Sequence, residues 1–340
     1  MTQRKPPTVH DVASRAGVAV GTVSRVINHS EAVRQHTRDA VWRAIADLGF
    51  RPNNVARSMR TRVTRTVGFI IPDISNPIFS LIAREAEQLL QGEGYVLNVA
   101  NSGGSVEREV RLIRAFAERQ CDSMLFVTNS ETDPRVLEAL RSSGMHILAL
   151  DRDVGLEVDR LMIDHARGMR LAVEYLFELG HRRIALINGS EKIAPGRERS
   201  RGFCEAHDDR GVRLGEGLVR SGRFDQDFGA AQAGSLLDLR KPPTAIIAGG
   251  NQILVGVLQV FQQRRLRFPR DISLVGCDDT PVAQVASPPI TVIDRDLATI
   301  GRTAAQIILD RLQRRGARGP PIVARLPTEL RIRGSCGPLR

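Results

Sequence analysis

Residues 8–28, "TVHDVASRAGVAVGTVSRVIN", carry two short apolar periodicities on either side of a glycine. Val9, Val12, Ala13 and Ala16 recur at helical spacing, and Thr8 with Asp11 three residues on has the form of a capping box. Gly17 ends that helix. Val20, Val23, Val26 and Ile27 then supply a second stripe, which leaves Thr22, Ser24, Arg25 and Asn28 off the apolar face. Asn28 to Ser30 close the segment with turn chemistry. Thr37 is expected to open a third helix, with Ala40, Val41, Ala44, Ile45 and Leu48 inward and Gly49 just past its end. Three short helices around an alanine and valine core, with a glycine in the first tight turn, predict an all-α helix-turn-helix domain over residues 1–50.

Charge agrees with that reading. The chain of 340 residues has a formal net charge of +11, and residues 1–65 hold twelve Lys or Arg against Asp11, Glu31, Asp39 and Asp47. So concentrated a basic segment suits a polyanion, either nucleic acid or an anionic membrane surface. No large aromatic or leucine face accompanies the charge, which disfavours the membrane. Val20, Gly21 and Arg25 lie at the exposed start of the second helix, where such a helix meets base edges in the major groove, and Arg25 has the fork for a guanine. Thr22, Ser24 and Asn28 are the right size to donate to phosphates. The plainer alternative is a solvated face with Arg25 as a surface charge.

"TVHDVASRAGVAVGTVSRVIN" followed by "RPNNVARSMRT" resembles the signature of the LacI/GalR family of bacterial transcription regulators, over about the first sixty residues. The remainder resembles that family more loosely. The resemblance implies a DNA-contacting set of Thr8, Val20, Gly21, Thr22, Ser24, Arg25 and Asn28, continued by Asn53, Asn54, Ala56, Arg57 and Met59. Ala19 stands where most members have a phosphate-donating Ser. Val20 and Gly21 match the pair that varies among members to set operator choice.

Between the first domain and the first strand lies a linker, residues 51–64, in which Pro52 forces a break and Asn53 can cap a short helix with Val55, Ala56 and Met59 on one side. Alone, so short a helix is marginal in water. It reads either as a flexible basic tether or as a hinge helix that folds on DNA. The resemblance implies the latter, with paired hinge helices of a dimer wedging the minor groove and Met59 where the family has Leu.

From Thr66 onward, nine apolar runs alternate with helical patterns: "TVGFIIP", "YVLNVAN", "SMLFVT", "HILALD", "LMID", "RRIALIN", "TAIIAGG", "ISLVGCDD" and "PITVI". Each is strand length, rich in Val and Ile, and most are separated by enough chain for a crossover helix. Residues 65–340 are therefore expected to form an α/β core of two doubly wound parallel-sheet subdomains, the periplasmic-binding-protein-like architecture that the resemblance also implies. Ligands of such sheets lie beyond the carboxyl ends of the strands. Those positions hold Asp73, Ser75, Asn76, Asp151, Arg152, Asp164, Asn251, Asp278 and Asp279, carboxylates and amides able to hold hydroxyl groups. A sugar or sugar derivative fits best. The resemblance adds Ile78 and Phe79 as an apolar wall, Arg199 and Asp278 as polar partners and Phe224 as a stacking ring. Phe79 and Phe224 read equally as core residues, and Asp278 beside Asp279 as a solvated turn. Gly250 and Asp294 are read as departures from the family, where an amide and a Gln are frequent. Ile78 stands where nucleobase-binding members stack an aromatic ring, which argues against a purine.

The enzyme signatures G-x-x-x-x-G-K-[ST], H-E-x-x-H, G-x-S-x-G and G-x-G-x-x-G do not occur, and the seven histidines are scattered. Asp278 and Asp279 are poor candidates for an acid and base pair, because adjacent residues seldom face one atom. An enzyme with a nucleic-acid arm and a solute-binding module remain as alternatives. Four cysteines lie far apart without a CxxC, and no run of eighteen apolar residues occurs. The expectation is a bacterial, cytoplasmic, nucleoid-associated regulator with no cofactor, no metal and no membrane contact. Its partners are then double-stranded operator DNA and a small-molecule effector. One helix-turn-helix gives a small footprint, so a homodimer on a pseudopalindrome is expected, and no heptad repeat follows "TAAQIILDRLQRR" to make a tetramer.

Overall fold

The computed structural model describes residues 7–27, 32–50, 63–314 and 319–339, in two compact units, Met1–Thr64 and Arg65–Arg340.

In the first unit α1 spans Val9–Ala16, α2 Val20–Ile27 and α3 Gln35–Leu48. Thr8 caps α1: its backbone N–H donates to Asp11 Oδ2 at 2.7 Å, and the Asp11 N–H donates back to Thr8 Oγ1 at 3.4 Å. Gly17 and Gly49 close α1 and α3 at φ +66° and +63°, a region that costs a glycine nothing. Val12, Ala13, Val23, Val26, Val33, Val41 and Ala44 form the core. The third helix starts at Gln35, two residues before the expected Thr37. Its N-cap is Arg34, which caps with backbone alone and leaves no side-chain signature.

The second unit comprises two lobes, each with a six-stranded sheet. In chain order the elements are β1 (Thr66–Ile71), α4 (Pro77–Gly92), β2 (Val96–Asn101), α5 (Val106–Glu118), β3 (Ser123–Phe126), α6 (Pro134–Ser142), β4 (His146–Leu150) and β5 (Asp159–Ile163). There follow α7 (His165–Glu178), β6 (Ile184–Gly189), α8 (Ala194–Asp209), β7 (Val219–Gly222), α9 (Gln226–Leu237), β8 (Ala245–Ala248), α10 (Asn251–Gln263), β9 (Ser273–Cys277), α11 (Pro281–Val285) and β10 (Thr291–Asp294). The chain ends with α12 (Leu297–Gln313), β11 (Val323–Leu326) and β12 (Glu329–Arg331). Strand order is β11-β5-β4-β3-β1-β2 in the first lobe and β12-β10-β9-β8-β6-β7 in the second. All pairings are parallel except that of β12 with β10.

The chain passes between lobes three times: from β5 to α7, from β10 to α12, and from β11 to β12. Helix α12 therefore packs on the first sheet, where Ile300, Ala304, Ile308 and Leu309 join Phe69, Ile82 and Leu148 in one core. Gly301 makes that seam possible, since a Cβ there would lie 2.5 Å from the Ile82 carbonyl oxygen. In each lobe the strand order reverses beside the first strand, β1 or β6, which opens a crevice at the carboxyl edge. These crevices face each other across the crossings.

Candidate functional site

On α2, Val23 and Val26 are buried while Gly21 and Arg25 are exposed, four residues apart on one side. Val20, Thr22 and Ser24 are half-buried, and Ala19 is exposed at the helix start, where its carbonyl accepts the N–H groups of Thr22 and Val23. Thr8 is exposed in its capping role. The remaining expected DNA contacts, Asn28, Asn53, Asn54, Ala56, Arg57 and Met59, lie outside the described residues.

Between the two lobes of the second unit is a cavity of about 710 Å³, within the range of small-ligand sites. Its apolar wall is Ile78, Phe79 and Ile82 from α4 with Ile300 from α12. Asn76 caps α4 by accepting the Ile78 N–H at 3.3 Å, and the same oxygen takes Asn251 Nδ2 from the opposite lobe at 2.9 Å. Asp73 receives Ser75 through its backbone N–H and hydroxyl at 2.9 and 2.7 Å. From α8, Arg199 extends its guanidinium to 5.7 Å from the Phe224 ring centroid. Gly189 lets that ring lie flat, since a Cβ there would fall 2.0 Å from it.

At the base of the cavity the fourth strand of each lobe ends in an aspartate with left-handed backbone, Asp151 at φ +54° and Asp278 at φ +68°. Arg295, just past β10, joins them: its Nε donates to Asp278 Oδ1 at 2.6 Å and its Nη1 to Asp151 Oδ2 at 3.2 Å. His165 Nε2 is 2.8 Å from the same Asp151 oxygen. Burial lowers His165 to about 4, with Arg199 and Arg295 adding to the effect against the pull of Asp151, so the ring is neutral at pH 7 and its Nε2–H donates. Burial works against ionising either aspartate. His165, Arg295 and Arg152 overcome it for Asp151, and Arg295 chiefly for Asp278, so both stay below the usual carboxylate range. Arg152 itself is turned inward, donating to the carbonyls of Thr128 and Asp151.

Residues 8–53 match the family model "Bacterial regulatory proteins, lacI family", and residues 173–336 match "Periplasmic binding protein-like domain". The HTH-type transcriptional regulator CelR of Thermobifida fusca is 34% identical over 343 aligned residues, covering 98% of this chain and 100% of that protein. The chain belongs to the LacI family of bacterial transcriptional regulators. Two solved structures resemble this LacI-family chain over almost its whole length. A CelR–cellobiose complex is 33% identical with a TM-score of 0.74, covering 97% of this chain and 99% of that one. A lac repressor dimer bound to operator and the anti-inducer ONPF is 26% identical with a TM-score of 0.85, at the same coverages.

In this LacI-family regulator the expected effector contacts Asp73, Ile78, Phe79, Asp151, Arg199, Phe224, Asn251 and Asp278 line the cavity, as do Asn76 and Arg152. Asp164 does not. It is the N-cap of α7, accepting the Arg167 N–H at 3.2 Å, and its backbone ties two of the crossings together through Leu326 and Thr328. The strand-end rule put it with ligand groups, whereas the chain turns into the other lobe there. Asp294, set against a frequent Gln of the family, also faces away, paired with Arg331 of β12 at 2.8 Å. The residue that lines the cavity past β10 is its neighbour Arg295. Asp279 likewise turns from Asp278 to Arg331 and Arg333, so the two adjacent carboxylates serve opposite sides.

Sequence reasoning also missed Glu131. It lies in the first lobe after β3, is 2% exposed, and its Oε1 accepts the N–H of Ala194 at 2.8 Å and of Asp153 at 3.0 Å. Its Oε2 takes Arg197 at 2.7 Å. It thus caps α8 of the other lobe, whose own N-cap, Ile193, has no side-chain acceptor. No local pattern marks such a residue, because its nearest partner in sequence, Asp153, is 22 positions away and the two on the other lobe are 63 and 66 away.

Relatives of this chain are regulators and not enzymes, and one arrangement that mimics catalytic geometry proves structural. Ser123 Oγ lies 2.9 Å from His146 Nδ1, and His146 Nε2 lies 2.8 Å from Asp159. Ser123 is fully buried and donates to the His146 carbonyl, while Asp159 is held by Arg311 and the Ile322 N–H. These groups pin β3, β4, α12 and the approach to β11. Among the described residues no cluster of three His, Cys, Asp or Glu is placed to hold a metal ion. Among them, too, no helix is long and apolar enough to cross a membrane.

Proposed function

We propose that this transcriptional regulator is a repressor that binds a pseudopalindromic operator as a homodimer and answers to a sugar or sugar derivative in the interlobe cavity. The observation that carries the reading is the cavity itself. It is an apolar wall and a ring facing a set of charged groups, and at its base Arg295, on one of the crossings between lobes, ties Asp151 of the first lobe to Asp278 of the second. A ligand held there lies against both lobes, so its binding is coupled to the angle between them, and such coupling is reciprocal with DNA affinity. The relatives bound to cellobiose, and to operator with ONPF, support a sugar-like effector and a dimer. Gly21 and Arg25 on the exposed side of α2 would read the groove, and residues 51–64 would supply the hinge helix. Such a repressor would work at its operator in the bacterial cytoplasm, where nucleoid association is expected.

The test is fluorescence anisotropy with the full chain on fragments flanking its own gene and on scrambled duplex at about 0.15 M salt, where steering by exposed charge is screened. The expected result is a preference of about a thousandfold or more for one fragment. Addition of the correct sugar should change operator affinity by about five- to a hundredfold. Equal affinity for every duplex would overturn the proposal.

A further inference from the structure

The polar groups around the cavity are unevenly satisfied. Both Asp278 oxygens are occupied by Arg295, at 2.6 and 3.4 Å. Asp151 is taken by the Ile163 N–H at 3.3 Å, by His165 at 2.8 Å and by Arg295 at 3.2 Å. Asp225, at the rim, accepts the Phe228 N–H at 2.8 Å and pairs with Arg223 at 2.6 Å. Both carboxylates at the base are therefore already engaged. Arg199 is the opposite case: only 4% exposed and lining the cavity, it makes no hydrogen bond or ion pair among the described residues beyond its contact with the Phe224 face. A guanidinium withdrawn so far from water needs a compensating acceptor, and a ring face at 5.7 Å is a weak one. Asp278 is close enough to feel its charge but is hydrogen-bonded to Arg295 instead, and His165 is neutral, so no neighbour fills its donors.

We infer that the effector is an anionic sugar, a hydroxylated compound bearing a carboxylate or a phosphate whose charged group pairs with Arg199, and that Arg295 sets this specificity. Arg295 locks Asp278 in an ion pair, which denies a neutral sugar the acceptor that a free carboxylate would offer its hydroxyls and screens the incoming anion from that charge. Asp73, whose Oδ1 is held by Ser75, keeps its other oxygen for a ligand hydroxyl. Lys192 and Arg223, both exposed at the mouth, add to the cationic approach. The inference rests on the cavity being the effector site.

The experiment is calorimetric titration of the full chain with matched trios: glucose, gluconate and glucose 6-phosphate; galactose, galacturonate and galactose 6-phosphate; ribose, ribonate and ribose 5-phosphate. In at least one trio an anionic member should bind about tenfold or more tighter than its neutral parent, the effect of one charge-assisted pair. Which of the two anionic members does so separates carboxylate from phosphate. Arg295→Gln should reduce that ratio at least threefold by freeing Asp278, and Arg295→Lys, which keeps the cation but loses the fork, serves if the glutamine variant does not fold. A neutral sugar bound as tightly as its acid and its phosphate, or a ratio unmoved by the Arg295 variants, overturns the inference and leaves the cavity as the effector site. Absence of binding by every member of every trio overturns both.

Discussion

Replacing Glu131 by alanine should loosen the junction between lobes far more than removing the arginine it pairs with. The carboxylate holds three donors of unequal worth. Ala194 is 4% exposed, so its N–H loses its partner in a place water does not reach, at about 1–3 kcal/mol. The anion also sits at the N-terminus of α8, which adds about 0.5 kcal/mol. Arg197 is 44% exposed, so its ion pair contributes under about 1 kcal/mol, and Asp153, exposed, can give its N–H to water. Glu131→Ala should therefore cost about 3 kcal/mol, Arg197→Ala under about 1, and Glu131→Gln, which retains the acceptor for Ala194, about 1. Urea unfolding measures this with two probes. The single tryptophan, Trp42, lies in the N-terminal unit and reports that unit, while far-UV dichroism follows the larger core. If Arg197→Ala costs as much as Glu131→Ala, the ion pair and not the amide cap is the source of stability, and the reasoning fails.

Three further outcomes follow from the geometry. His165 titrates near 4 when folded and near 6.5 when unfolded, so its stabilisation is complete above pH 6.5 and is lost as the pH falls toward 4. The stability gap between wild type and His165→Asn should shrink by about 3 kcal/mol across that window, measured by chemical unfolding at each pH; a constant gap refutes the assignment. Gly189→Ala places a methyl where the Phe224 ring lies, and should weaken effector binding about tenfold by calorimetry while the melting temperature of the core changes little. Val23→Ala opens a void in the small core of the first unit at about 2 kcal/mol, and should unfold that unit by Trp42 fluorescence while effector binding persists.

The helical unit was legible because each helix announces itself: apolar residues every three or four positions, a capping pair at Thr8 and Asp11, and glycine where the backbone turns left-handed. The start of α3 was not, because Arg34 caps without a side chain. The nine runs read as strands and are strands: most lie inside their sheets, where parallel strands buried on both faces are continuous in Val, Ile and Ala, and the edge strand β2 was legible from its valines although it is largely exposed. Three were invisible: β7, β11 and β12 are three or four residues long, lie at sheet edges and consist only of exposed and half-buried positions. In the cleft, placing polar residues after strands brought Asp73, Asp151, Asn251 and Asp278 to the cavity. The same rule misplaced Asp164 because a strand that ends at a crossing looks, in one dimension, like a strand that ends at a ligand. Arg295 was lost to a one-residue register: Asp294, still on β10, points to β12, and only the next residue turns inward.

The threefold passage of the chain has a consequence for how the protein is made. Emerging from the ribosome, the first lobe presents β5 as a bare outer strand, and neither β11 nor α12 exists to cover it until nearly all of the second lobe has been synthesised. That lobe in turn lacks β12 until the last dozen residues. Neither half is a continuous fragment that can be cut out and expressed as a finished body, and a stop codon before β11 would leave both unfinished.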